Sequence, residues 1–172
     1  IRKQISYVPQ DVFLFSDTIK NNIRFGLEKG QYGESKKAAV WASVAKEIET
    51  FSQKFETPVG ERGVTLSGGQ KQRISIARAL IRKPNIVVFD DCLSAVDART
   101  EKEIIVNLHD YLKDKTAIII TQRIFSLFHF DKIVVLEEGK IVEQGTHEEL
   151  LALNGLYKAL YFRQQHQDRS EA

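Results

Sequence analysis

The stretch "LSGGQKQRISIARALIRKPNIVVFDD", Leu66 to Asp91, decides how the chain reads. Ser67 and Gln70 stand in the S-x-x-Q arrangement of a capping box, which satisfies two orphan N–H groups at a helix start. Behind them Ile74, Ala77, Leu80 and Ile81 mark one face of a helix that ends near Lys83-Pro84. "NIVVFD" follows as a continuous apolar run, the pattern of a strand buried on both faces of a parallel sheet. A capped helix feeding a buried strand that closes on two acids, Asp90 and Asp91, is the grammar of an α/β protein.

The segments on either side keep that grammar. "ISYVPQ" reads as a short strand ended by Pro9, and "SDTIKNNIRFGL" as a short helix capped by Ser16 or Asp17 and stopped by Gly26. Val40, Trp41, Val44, Ile48 and Phe51 predict one helix from Lys36 to about Ser52, and "ETPVGERGVT" an irregular loop. After Asp91, "RTEKEIIVNLHDYL" is an amphipathic helix and "TAIIIT" a second buried strand. "DKIVVLEEGKIVEQG" reads as two strands about a Glu-Gly turn, and Thr146 with Glu149 makes a second capping box. Asn154-Gly155 interrupts the C-terminal helix, and "HQDRSEA" is expected to fray.

Composition narrows the class. The 172 residues are 42% hydrophobic and 28% charged, ordinary values for a globular domain. A net charge of +2 gives no footprint for nucleic acid. No apolar run approaches the about 18 residues of a membrane helix. The single cysteine, Cys92, excludes an internal disulfide and reads as an inert packed thiol. His109, His147 and His166 show no metal-ligand spacing with one another or with Cys92, and Trp41 reads as core. The chain begins with Ile and contains no Met, which is read as a piece of a longer protein beginning inside a domain.

Two places carry chemistry. At "SGGQ" a helix N-terminus offers free N–H groups and the positive end of its dipole, the glycines allow close approach, and Ser67 adds a hydroxyl. That suits a phosphate, although such a turn taken alone is more often a plain helix cap. Asp90 ends its strand at the sheet edge where α/β folds place ligands, and a carboxylate there can hold Mg²⁺ beside nucleotide phosphates. Taken alone, it better suits a cap for the next turn.

In order and spacing, "LSGGQKQRISIARAL" and "IVVFDDCLSAVD" resemble the signature motif, Walker B strand and D-loop of the nucleotide-binding domain of an ATP-binding cassette (ABC) transporter. "SYVPQDVFLFSDTIKNNI" is similar to the family's Q-loop and the start of its helical subdomain. "VGERG" is similar to its X-loop, and "VVLEEGKIVEQGTHEEL" to the C-terminal part of its exporters. The resemblance covers nearly all of the chain. It implies a P-loop NTPase-like (RecA-like) α/β core with an inserted α-helical subdomain at about 11–84. Residues 1–10 and about 85–172 would belong to the core, with the N-terminal strands and the P-loop missing. No G-x-x-x-x-G-K-[ST] run occurs in the sequence.

The resemblance also implies roles. Two such domains pack head to tail, so Ser67, Gly68, Gly69 and Gln70 meet an ATP held mainly by a partner domain. Asp90 and Gln10 hold Mg²⁺ at the chain's own site, and Asp97 lines the dimer seam. Phe13, Leu14 and Phe15 either meet the transmembrane domain or pack locally, and Glu61 is a candidate contact for its loops. Two positions depart from the family pattern. The residue after the Walker B Asp is usually a Glu that polarises water, and here it is Asp91. The His that usually follows the third core strand is here Gln122, which can donate a hydrogen bond but carries no titratable proton. His129 is not a substitute for it. An intact signature beside a weakened site fits a heterodimeric exporter with one degenerate site, at the cytoplasmic face of the cell membrane. The alternatives are a non-hydrolytic nucleotide-gated dimerising module and a soluble ABC ATPase of DNA repair or translation. The near-neutral charge and "VGERG" weigh against the last. Neither the transported substrate nor the partner is written in the sequence.

Overall fold

The computed structural model describes residues 2–27, 34–60, 66–93, 96–124 and 129–170. These form two compact units, Ile1–Thr121 and Gln122–Ala172. The first is built on three parallel strands in the order β1 (Ile5–Val8), β2 (Ile86–Asp90) and β3 (Thr116–Ile120). Parallel neighbours cannot be joined by a hairpin, so helices fill both connections. Helices α1 (Ile19–Arg24), α2 (Ser35–Trp41), α3 (Ala45–Thr50) and α4 (Gly68–Leu80) precede β2, and α5 (Ala98–Leu112) follows it.

One face of this sheet is covered. Val8, Val87 and Phe89 point into it and are 3% exposed or less. The other face carries Tyr7, Val88 and Ile118 in register, with Asp90 beside Ile120. Ile118 and Ile120 are about half exposed there, so "TAIIIT" is not the buried strand its apolar run predicts. A parallel strand is buried on both sides only where both faces are covered. Among the described residues that face lies open. For the same reason Ile86 and Val88 in β2 are only half-buried.

The helices differ from expectation in two places. Helix α1 is capped by Thr18, whose Oγ1 accepts from the Asn21 N–H at 3.1 Å, and not by Ser16 or Asp17. Asp17 instead accepts from the Thr18 N–H and Asn21 Nδ2, bracing the cap from outside. The single helix expected over 36–52 is broken into α2 and α3, because Ser43 takes φ +53°, which a right-handed helix cannot propagate. The break also turns the apolar face: Val40 is exposed, whereas Val44 and Ile48 are buried.

Helix α4 behaves as its pattern requires. Ile74, Ala77, Leu80 and Ile81 are buried. Arg78 on its flank donates to the backbone oxygens of Asn22 and Phe13 and to Asn22 Oδ1, tying α1 and the segment before it to α4. Leu14 is fully buried between the exposed Phe13 and Phe15, so it belongs to the core. Trp41 packs on Tyr111 at 4.5 Å between ring centroids, and the Tyr111 hydroxyl donates to the Leu80 carbonyl, joining α2, α4 and α5.

The second unit holds an antiparallel hairpin, β4 (Ile133–Glu137) and β5 (Lys140–Gly145), followed by α6 (His147–Ala152) and α7 (Leu156–Ser170). Glu138 and Gly139 both have positive φ, +48° and +75°, as a two-residue I′ turn demands. The Thr146–Glu149 capping box forms with both of its hydrogen bonds. Val135, Leu150 and Tyr157 make a small core. Helix α7 runs to Ser170, past the point where fraying is expected, because its 3.6-residue path continues without a breaker. No helix among the described residues is long and apolar enough to cross a membrane.

Candidate nucleotide-binding site

The α4 N-terminus is built as its sequence requires. Ser67 is extended, with φ −65° and ψ 161°. Its Oγ accepts from the Gln70 N–H at 3.2 Å, and Gln70 Oε1 accepts from the Ser67 N–H at 3.0 Å. Ser67 and Gly68 stand exposed at the end of a 13-residue helix. Free N–H groups at such an end, with the dipole behind them, favour an anion.

The sheet edge brings a second set of residues together. Asp90 ends β2 and accepts a hydrogen bond on Oδ2 from the Tyr7 hydroxyl at 2.6 Å. That bond, with some burial and the Asp90 charge, raises the Tyr7 pKa. Asp91 sits just past the strand at φ +42°, a conformation that short polar side chains tolerate better than most. Its N–H donates to the Ile120 carbonyl at 2.8 Å, extending the ladder to β3. Gln10 Nε2 donates to Asp91 Oδ2 at 3.2 Å. Gln10 thus meets Asp91, the chain neighbour of Asp90.

Tyr7 is the member that the sequence pattern did not single out. The register sets it beside Val88, two residues before Asp90, and a partner 83 residues away leaves no mark in the sequence. Among the described residues no group of three or more His, Cys, Asp or Glu could hold a metal ion alone. Mg²⁺ commonly takes one or two carboxylates and completes its shell with water and phosphate oxygens. The hard oxygens of Asp90 and Gln10 suit that role.

The remaining site residues are placed as follows. Asp97 caps α5, and its Oδ1 accepts from the Thr100 N–H at 3.0 Å. Hydrogen bonds from the Thr100 backbone and side chain hold its carboxyl below the usual carboxylate range. Gln122 is exposed in the second unit. Two residues on, the Ile124 N–H and carbonyl are both bound by the Gln164 side chain of α7, at 2.8 and 3.0 Å. His129 is exposed. Glu61 lies outside the described residues, as do Ser94 and Ala95 of "SAVD".

Comparison with known proteins converges on one family. A family model described as ABC transporter matches residues 1–94 of the 172. The probable multidrug resistance ABC transporter ATP-binding/permease protein YheI of Bacillus subtilis is 50% identical over 165 residues, covering 96% of this chain and 28% of that protein. The ABC transporter ATM1 of Toxoplasma gondii is 46% identical over 172 residues, covering 99% of this chain and 15% of that protein. A solved structure described as that of a bacterial Atm1-family ABC exporter with ATP bound has a TM-score of 0.90 and 41% identity, over 95% of this chain and 29% of the other. The chain thus spans less than a third of the length of these relatives. With a family model matched over more than half its residues and an α/β fold shared with an exporter, the chain belongs to the ABC transporter family.

Proposed function

We propose that these residues are part of an ATP-hydrolysing subunit that powers export through a membrane transporter. Ser67, Gly68 and Gly69 offer a hydroxyl and backbone N–H groups to the terminal phosphate of an ATP bound mainly by a second nucleotide-binding domain. Gln70 holds that turn in shape. Asp90 and Gln10 bring oxygens to Mg²⁺ at the chain's own ATP site. Asp97 lies at the seam between the two domains. The subunit works at the cytoplasmic face of a membrane, joined to a transmembrane domain that selects the cargo. The observation that carries this proposal is the exposed, doubly bonded capping box at the start of α4.

We further propose that the chain's own site is slow, within a heterodimer whose other site turns over. Asp91 presents a carboxylate one methylene shorter than the usual Glu, and it is engaged by Gln10 at 3.2 Å. General base catalysis contributes about 10²–10⁴-fold and needs heavy atoms about 2.6–3.2 Å apart, so a base that falls short loses much of it. Gln122 cannot supply the positive charge of a histidine. The same features suit a nucleotide-gated dimerising module without turnover. Steady-state ATPase of the assembled transporter separates the two. Asp91→Glu should raise turnover, and changing the partner's corresponding Glu to Gln should abolish most of it. Unchanged turnover in both variants refutes the division of labour, and no ATPase in any form favours the gated module.

A further inference from the structure

Behind the signature turn stands a carboxylate that the sequence pattern does not mark. Glu47, in the first turn of α3, accepts from Gln70 Nε2 at 3.0 Å and from Arg73 Nη2 at 3.0 Å on Oε2, and from Arg73 Nη1 at 2.5 Å on Oε1. The Arg73 side chain is only 7% exposed. Two more of its N–H groups go to carbonyls, of Gly69 at 3.1 Å and of Ser43 at 2.8 Å.

An ionised carboxylate only accepts hydrogen bonds. Glu47 therefore decides which way the Gln70 amide faces: the NH₂ must turn to Glu47, which leaves Oε1 for the Ser67 N–H. With the amide flipped, its NH₂ would oppose that N–H and the capping box would open. Arg73, held bidentately by the same carboxylate, grips the turn at the Gly69 carbonyl. Both ends of the three-residue turn are thus clamped, and both clamps end on Glu47. The clamp reaches further. Ser43 Oγ accepts from Asn107 Nδ2 of α5 at 2.8 Å, and α5 begins at the Asp97 cap.

The geometry points to Glu47 as the positioning residue that aims the Ser67–Gly69 donors, acting through Gln70 and Arg73. This rests on the role proposed above for those donors toward an ATP phosphate. Donors aimed at a phosphate lose their effect when displaced; a 1 Å misplacement can cost about 100-fold in rate. Partial burial pushes the Glu47 carboxyl up, but hydrogen bonds from Arg73 and Gln70 and the Arg73 charge outweigh it and hold it below the ordinary glutamate range. The clamp is therefore closed at working pH.

A charge exchange in the assembled transporter tests this. Gln70→Glu keeps the capping-box chemistry but sets two carboxylates face to face, and should lower kcat at least about tenfold with a smaller change in KM for ATP. Glu47→Gln should do the same, because Arg73 loses its countercharge and the Gln70 amide its guide. Combining them restores an amide–carboxylate pair across the same gap but not the Arg73 countercharge, so the double variant should recover at least about threefold over Gln70→Glu without reaching the parent rate. Losses that came from general loosening would add, whereas contacting partners couple. Deuterium uptake in a peptide spanning residues 67–73, measured without turnover, should rise in each single variant and fall back in the double. Ser67→Ala is the reference. If it leaves turnover unchanged, the role of the turn itself is refuted and the inference with it. If Ser67→Ala slows turnover while Glu47→Gln and Gln70→Glu do not, or if the double variant is worse than either single one, Glu47 is not the positioning residue.

Discussion

Glu143 of β5 caps a helix it does not belong to. Its carboxylate accepts from the N–H of Leu156 at 2.5 Å and of Tyr157 at 2.9 Å, the opening residues of α7. Losing a side-chain cap costs about 0.5–2 kcal/mol, and removing an anion from a helix N-terminus about 0.3–1 kcal/mol more. Glu143→Ala should therefore destabilise the start of α7 by about 2 kcal/mol, close to 30-fold in local opening. Gly155 supplies the control. A Cβ built there would lie 1.8 Å from Glu143 Oε1, so Gly155→Ala must evict the carboxylate and forfeit the same cap. Once Glu143 is gone, that clash is gone too, and the gain from the stiffer unfolded chain is set against the preference for Gly over Ala at an N-cap. The same substitution should thus cost far less in the Glu143→Ala background than in the parent. Urea unfolding of the four proteins gives the coupling, and hydrogen exchange at Leu156 and Tyr157 places it. If the two costs simply add, the cap is not where the stability of this helix start comes from.

Two further outcomes follow from the same kind of reasoning. Because the folded pKa of Glu47 lies below its unfolded value, the Glu47 contacts contribute stability above the ordinary glutamate range, about 4.3, and lose it as pH falls through the lower folded value. The difference in urea midpoint between the parent and Glu47→Gln should therefore be full near pH 6 and shrink toward pH 3; a difference that grows on acidification contradicts the clamp. Cys92 is 2% exposed, and burial pushes its thiol up to about 12, so a maleimide should label it far more slowly in the native protein than in urea. Equal rates in both would show that the turn after β2 opens freely.

What the sequence reveals here is what short-range chemistry controls. The Ser67–Gln70 and Thr146–Glu149 boxes form as their spacing requires, because each is closed within four residues. The same holds for the Glu138-Gly139 turn. The misreadings lie where a residue's neighbours come from elsewhere. "TAIIIT" is apolar enough for a covered strand, but cover is supplied by other elements and a hydropathy run does not report it. Ser43 carries no mark of its positive φ. That conformation is held by partners 30 and 64 residues away, Arg73 at its carbonyl and Asn107 at its hydroxyl.

The candidate site divides along the same line. Its ligands are legible because they sit in tight turns at strand and helix ends, where Gly, Ser and Asp are chosen for backbone reasons as well as chemical ones. The residues that hold them, Tyr7 against Asp90 and Glu47 against Gln70 and Arg73, reach across 83, 23 and 26 residues of chain. In sequence Glu47 is one more acid in a helix's first turn, a place where acids are common for the dipole alone. What sets it apart is that a nearly buried Arg73 and the amide of the signature turn both depend on the same two oxygens. A carboxylate shared in that way cannot be neutralised without disturbing both partners, so its substitution should be felt at the Ser67–Gly69 donors even though its own hydrogen bonds go to Gln70 and Arg73.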